Sequence, residues 1–230
     1  MRDFALDGRL ASVMKFVRQG ARFADVGTDH AYLPLALLRA GRIEHAVCSD
    51  INAGPLESAK ANASEAGLED RMSFYLTDGA AALAGENLSD VAIAGMGGEL
   101  IADIIDRAPF LRDKNIRLIL QPMSRQEHLR RFLCEQGFEI AAEDYSYSQS
   151  KYYVTFCVHF CGVTTSATDE EYAFGKREFL DTGSPECLGY LKTRLAALER
   201  AAAGKSVAGL DASHENTLIN YLKGILENDG

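Results

Sequence analysis

Arg22-Phe23-Ala24-Asp25-Val26-Gly27-Thr28-Asp29-His30-Ala31-Tyr32-Leu33-Pro34 is the stretch on which the fold turns. Residues 22–27 run into an acid and a glycine, the pattern of a strand entering a sharp turn. Residues 30–40 then carry apolar side chains at helical spacing, with Pro34 early enough that its missing N–H is harmless. Strand, tight turn and helix in that order open a unit whose next strand runs parallel.

The unit recurs downstream. Residues 46–51 predict a second strand ending at Asp50, and Asn52 is placed to cap a helix that stops at Gly67. Residues 72–76 predict a third strand before Asp78-Gly79, and residues 91–94 a fourth before Gly95-Met96-Gly97-Gly98. A helix follows, with Leu100, Ile101, Ile104 and Ile105 on one face. Residues 118–120 predict a fifth strand closed by Gln121-Pro122, and Ser124 with Glu127 reads as a capping box for a helix through residue 136. Residues 140–145 and 152–160 predict two strands joined by a polar turn at 146–150, hence an antiparallel pair. Five parallel strands followed by such a pair predict an α/β fold: a doubly wound, Rossmann-like seven-stranded sheet with both faces covered.

A Ser/Thr-rich stretch at 162–168 divides a domain spanning 1–162 from a helical region spanning 163–230. There, Leu188, Leu191, Leu195 and Leu198 form one stripe and Leu218, Leu222 and Ile225 another, around a turn at 204–209. The stripes predict a coiled-coil hairpin too short to stand alone, which must pack on the main domain or on substrate.

Bulk properties narrow the classes. The 230 residues are 47% hydrophobic and 25% charged, enough for a large core. No apolar run approaches the roughly 20 residues of a membrane span. Acids stand near the N-terminus where a signal peptide is apolar. Five scattered cysteines fit a reduced, cytoplasmic setting. Cys157 and Cys161 lack zinc-site spacing and a second pair, so no metal is expected. A net charge of −9 argues against indiscriminate nucleic-acid binding. Yet residues 1–22 hold five cations against two acids, and Arg9, Lys15 and Arg18 form either a phosphate-binding face or a solvated helix face. Nothing indicates oligomeric state, and a monomer is the default.

Ligands of doubly wound sheets bind beyond the carboxyl ends of the strands. Asp25 there either accepts from an ammonium or ties down its turn, Gly27 allows close approach, and the helix start offers N–H groups to a carboxylate. Asp50 follows Gly27 by 23 residues, a spacing that suits ribose hydroxyls. Asp78-Gly79 suits the amine and ring of adenine, and the glycines at 95, 97 and 98 let backbone press on a ligand. Each motif alone also describes an ordinary turn. In sequence they point to an adenosine-containing cofactor, and G-x-G-x-x-G is not satisfied.

The runs 25–34, Ser-Asp-Ile (49–51), Thr-Asp-Gly (77–79), Ala-Gly-Met-Gly-Gly (94–98) and Leu-Gln-Pro (120–122) resemble the bacterial tRNA adenine-N1 methyltransferase family that modifies adenine 22. The resemblance covers residues 5–160, and the helical tail is similar to that family's C-terminal coiled-coil hairpin. It implies a class I methyltransferase fold, S-adenosyl-L-methionine as cofactor and tRNA as partner. Carried over, Asp25, Gly27, Thr28, Asp50, Ile51, Asp78, Gly79, Gly95 and Met96 hold the cofactor. Asp29 is the candidate for stabilising the methylated ring, with His30 the alternative. Gly97, Gly98, Gln121 and Tyr32 meet the base, and Tyr145, Tyr147 and Tyr152 are further stacking candidates. Arg9, Lys15 and Arg18 meet phosphates, with Arg125, Arg130 and Arg131. Three rivals stay open: an NAD-linked oxidoreductase, a methyltransferase acting on a small molecule or protein, and a non-catalytic RNA-binding module with a relic site.

Overall fold

A computed structural model describes residues 6–228. Its seven strands are β1 (Ala21–Val26), β2 (Ile43–Asp50), β3 (Met72–Leu76), β4 (Asp90–Gly97), β5 (Arg117–Ser124), β6 (Phe138–Ser148) and β7 (Lys151–Phe160). They form one sheet in the order β3-β2-β1-β4-β5-β7-β6. The first five are parallel, whereas β7 is antiparallel to both β5 and β6. The chain winds outward from β1 through β2 and β3, then returns to place β4 on β1's other side. That reversal opens a crevice at the carboxyl ends of β1 and β4.

Burial explains the order. Tyr153 through Val158 in β7 are buried without a break, as an interior strand requires. β6 takes the edge, with Glu139, Ala141 and Tyr147 exposed. The loop between them is only Gln149-Ser150, both at positive φ (48° and 61°), a tight two-residue hairpin rather than a polar loop from 146 to 150.

Helices α1 (Gly8–Phe16), α2 (Tyr32–Arg39) and α3 (Ala53–Ala66) bury Val13, Leu33, Leu35 and Ala59 against Phe23 and Cys48 on one face. On the other face α4 (Gly98–Asp106) and α5 (Gln126–Glu135) contribute Ile101, Ile105, Leu129 and Leu133. Helix α6 (Asp169–Phe174) and the hairpin of α7 (Pro185–Val207) and α8 (Ser213–Asn228) join that same core through Phe174, Cys187, Leu191, Leu218 and Leu222. Ion pairs Lys205–Glu215 (2.8 Å) and Lys223–Glu199 (3.0 Å) set the hairpin's antiparallel register. Its buried face runs through Cys187, Tyr190 and Leu191, and Leu195 and Leu198 of the expected stripe pack partly buried against the core, whereas Leu188 is only half-buried.

Several local expectations need correction. Helix α2 starts at Tyr32, because His30 and Ala31 take left-handed backbone (φ 59° and 57°) and Asn62 Nδ2 donates to the His30 carbonyl. Ser124 is not a cap. It stays in β5 opposite Gly97, and Arg125 (φ 56°) turns the chain into α5. The ends of β4 and β5 press together there, since a side chain at Gly98 would sit 2.4 Å from the Arg125 carbonyl oxygen. A capping box does occur, at Thr168 and Glu171 of α6. Asn52 stands at the α3 N-cap without a side-chain cap bond, and its own N–H donates to Asp50 Oδ1 at 2.7 Å.

Candidate active site

The carboxyl ends of β1 to β4 surround a cleft of about 670 Å³. Asp25, Gly27 and Asp29 line it from the β1 turn, Asp50 and Ile51 from β2, Asp78 and Gly79 after β3, and Gly95 and Met96 from β4. Tyr32 completes the β1 side. Residues that share no single motif, scattered from 25 to 96, thus meet because parallel strands end on one edge of the sheet.

Asp25 dominates the electrostatics. Burial pushes its carboxyl up to about 6, against the pull of the Thr28 hydroxyl and the Arg9 guanidinium, with Asp50 and Asp29 adding repulsion. Thr28 is itself buried and lies behind the cleft, so it reaches the site only by donating to Asp25. Burial also pushes the neighbouring Cys48 thiol well above its usual range. Asp78 differs. Arg107 donates to it at 2.8 Å and holds its carboxyl below the ordinary value.

Gly27, Gly79 and Gly95 all have φ between 75° and 79°, where other residues are strained. A side chain at Gly27 would lie 2.0 Å from Met96 Cε, so the thioether rests on the bare turn. Ser49 also lines the cleft, and its Oγ is buried without a partner among the described residues.

Asp29 is 78% exposed at the rim, and His30 Nε2 lies 3.2 Å from its carboxylate. The His30 ring stacks on Tyr32 at 5.4 Å. His30 is outside the cleft lining, as are Gly97, Gly98 and Gln121. Gln121 is fully buried, and its Oε1 accepts from Gly95 N–H (3.0 Å) and from Arg9 Nη1 (3.2 Å). It braces the wall rather than facing the opening.

The expected cationic face is dispersed. Arg9 lines the cleft. Lys15 pairs with Asp144 at 2.8 Å on the surface. Arg18 is bound to the fully buried Asp90 and to two backbone carbonyls, which fixes it as a strut at the far end of the sheet. Arg130 is buried against Glu143, so it cannot meet a phosphate, whereas Arg125 and Arg131 stay exposed. Tyr145 is buried, with its hydroxyl donating to Glu143, and Tyr152 packs beneath Gly189. Neither offers a free ring face, whereas Tyr147 is half exposed.

Other cleft residues escaped the sequence reading. Leu6, Asp7 and Leu10 arrive from the N-terminal segment, Gln149 from the β6–β7 turn, and Leu100 and Ile104 from α4. Asp7, which accepts from Leu10 N–H as the α1 cap, had a legible signal. Gln149 had none, because its place depends on how β6 folds back over α1. Among the described residues no cluster of His, Cys, Asp or Glu is arranged to hold a metal, and no helix is long and apolar enough to cross a membrane.

Residues 6–156 match the methyltransferase domain family. The chain is 34% identical over 143 residues to the tRNA (adenine(22)-N(1))-methyltransferase of Bacillus subtilis, covering 62% of this chain and 60% of that protein. A Streptococcus pneumoniae protein solved in complex with S-adenosyl-L-methionine is 34% identical, with a TM-score of 0.83 over 96% of this chain and 100% of that one. The solved Bacillus subtilis m1A22 tRNA methyltransferase superposes with a TM-score of 0.78 at 26% identity, covering 98% and 97% of the two chains.

Proposed function

We propose, because this chain belongs to the methyltransferase domain family and within it to the bacterial tRNA (adenine-22-N1)-methyltransferases, that it transfers a methyl group from S-adenosyl-L-methionine to N1 of adenine 22 in tRNA. The observation that carries this reading is the acid series Asp25, Asp50 and Asp78, set at three successive strand ends around one cleft. The residues present fit the cofactor. Asp25 is a buried carboxylate with no cation bonded to it, as an ammonium partner requires, and Ser49 Oγ is an orphaned polar atom on the same wall. Met96 occupies the Gly27 turn, but a thioether side chain swings aside at little cost.

Asp25 would hold the ammonium, Asp50 the ribose hydroxyls with Ile51 beside them, and Asp78-Gly79 the adenine, with Arg107 fixing the Asp78 carboxylate. When bound, the cofactor supplies an electrophilic methyl group on a sulfonium. Adenine N1 has an in-plane lone pair, so the chain need not remove a proton to make a nucleophile. Its task is alignment and exclusion of water. The target base must turn out of the RNA to expose N1. Tyr32 gives it a stacking face, and Gly97 leaves room, with Gly98 behind it serving the approach of β4 to Arg125. Asp29 accepts from its amine and stabilises the cationic ring, with His30 orienting that carboxylate. Lys15, Arg125 and Arg131 are the exposed cations offered to phosphates. We place the chemistry in residues 1–162 of a cytoplasmic monomer, with 163–230 as its helical appendage.

The test is incubation of labelled cofactor with unmodified tRNA and with the same tRNA carrying guanine at position 22, followed by nucleoside analysis. N1-methyladenosine in the first alone is the expected result. No label, or equal label in both, rejects the proposal.

A further inference from the structure

Arg9 sits in the first turn of α1, yet its guanidinium is drawn into the cleft. Its side chain is only 22% exposed. Nη1 donates to buried Gln121, whose same oxygen accepts from Gly95 N–H, and Nε lies 3.8 Å from Asp7. These contacts hold Arg9 over the carboxyl end of β4, with Nη1 3.3 Å from where a Gly95 side chain would be. Nη2 has no partner among the described residues. The neighbouring β1 presents Asp25, close enough for Arg9 to pull its carboxyl down.

A fixed cation beside a buried carboxylate, at one end of a cleft whose other end carries Asp50 and Asp78, matches a zwitterion. We propose that Arg9 is the anchor for the carboxylate of the cofactor's amino-acid end, completing with Asp25 a clamp for an α-amino acid, and that Gln121 is a positioning residue acting through Arg9. This rests on the cofactor reading above. It reassigns Arg9 from the phosphate-binding face expected from sequence. The bracing favours the cofactor: a carboxylate can be carried deep on a small molecule, whereas a backbone phosphate would have to enter a cleft that Leu6, Leu10 and Gln149 also line.

The experiment is calorimetric binding of S-adenosylhomocysteine and of its decarboxylated counterpart to the wild-type chain, to Arg9→Gln and to Arg9→Lys. A charge-assisted contact of this kind gives the wild type on the order of 10- to 100-fold preference for the carboxylated ligand. Arg9→Gln is expected to bind the two ligands alike, Arg9→Lys to recover part of the preference, and Arg9→Gln to keep its affinity for cofactor-free tRNA. Equal wild-type affinity for the two ligands overturns the inference without reference to any variant. So does an Arg9→Gln protein that keeps the preference but loses tRNA affinity, the behaviour of a phosphate contact. A wild type that binds neither ligand overturns the cofactor reading, and the anchor with it.

Discussion

Asp25 and Glu143 are both carboxylates inside the protein, and they are treated differently. Glu143 lies under the C-terminal helices with its side chain 1% exposed and Arg130 3% exposed. Arg130 Nε and Nη2 each donate to it at 2.8 Å, Tyr145 adds a third bond, and the remaining Arg130 donors go to the Tyr172 and Ala173 carbonyls. Burial opposes the guanidinium's charge, yet Glu143 holds it protonated above its ordinary range. Asp25 has the Thr28 hydroxyl as its bonded partner, and the Arg9 guanidinium acts on it through space without a hydrogen bond. A charge compensated within the fold ties elements together, while one left short of compensation beside a cleft is reserved for a cationic ligand.

The largest effect that tests this contrast is Arg130→Met. It strands a buried carboxylate and is expected to lower stability by about 3–5 kcal/mol, read from urea denaturation. A loss below about 1 kcal/mol would break the contrast from the structural side.

Asp25→Asn should act in the opposite direction. The folded-state value of about 6 lies above the ordinary aspartate value of 3.8, so the native state holds the extra proton between those limits. Wild-type stability therefore falls as pH rises through that window, and at pH 7 the ionised group costs on the order of 2–3 kcal/mol. Asp25→Asn keeps an acceptor for Thr28 and removes the cost. It should be more stable than wild type at pH 7, lack that pH dependence, and bind cofactor at least about 100-fold more weakly. A destabilised variant with normal binding would make Asp25 a structural acid like Glu143.

Asp29→Ala, at the exposed rim, should leave the thermal midpoint unchanged and slow methyl transfer by about 10- to 100-fold. Unaltered turnover would remove Asp29 from the reaction. The smallest effect is expected at Lys15→Gln. Its pair with Asp144 is solvated, so stability should move by no more than about 0.5 kcal/mol, and a chemical-denaturation midpoint is sensitive enough to show more.

What was legible in the sequence was whatever local pattern controls. The acids that end β1 and β2, and the one just beyond β3, could be read because a parallel strand places its last polar residue at the sheet's edge whatever the rest of the chain does. The closing strand pair could be read from two apolar runs with one short link. Charges were misread where long-range packing decides. Arg18 and Arg130 look like surface cations until Asp90 and Glu143, 72 and 13 residues away, are seen to meet them. Ser124 looks like a cap until the tight approach of Gly98 to Arg125 keeps it in the ladder. The N-terminal and β6–β7 walls of the cleft depend on Gly8 letting α1 lie against Tyr147, a contact that no periodicity announces.

The central claim is that Asp25 is held ready for the cofactor's ammonium. Calorimetric titration of S-adenosyl-L-methionine near pH 6, in buffers of different ionisation enthalpy, counts the protons exchanged on binding. A half-protonated Asp25 that ionises on meeting a cation releases about half a proton at that pH, and Asp25→Asn none. Tight binding with no proton released by the wild type, or equal release by both proteins, would contradict the account.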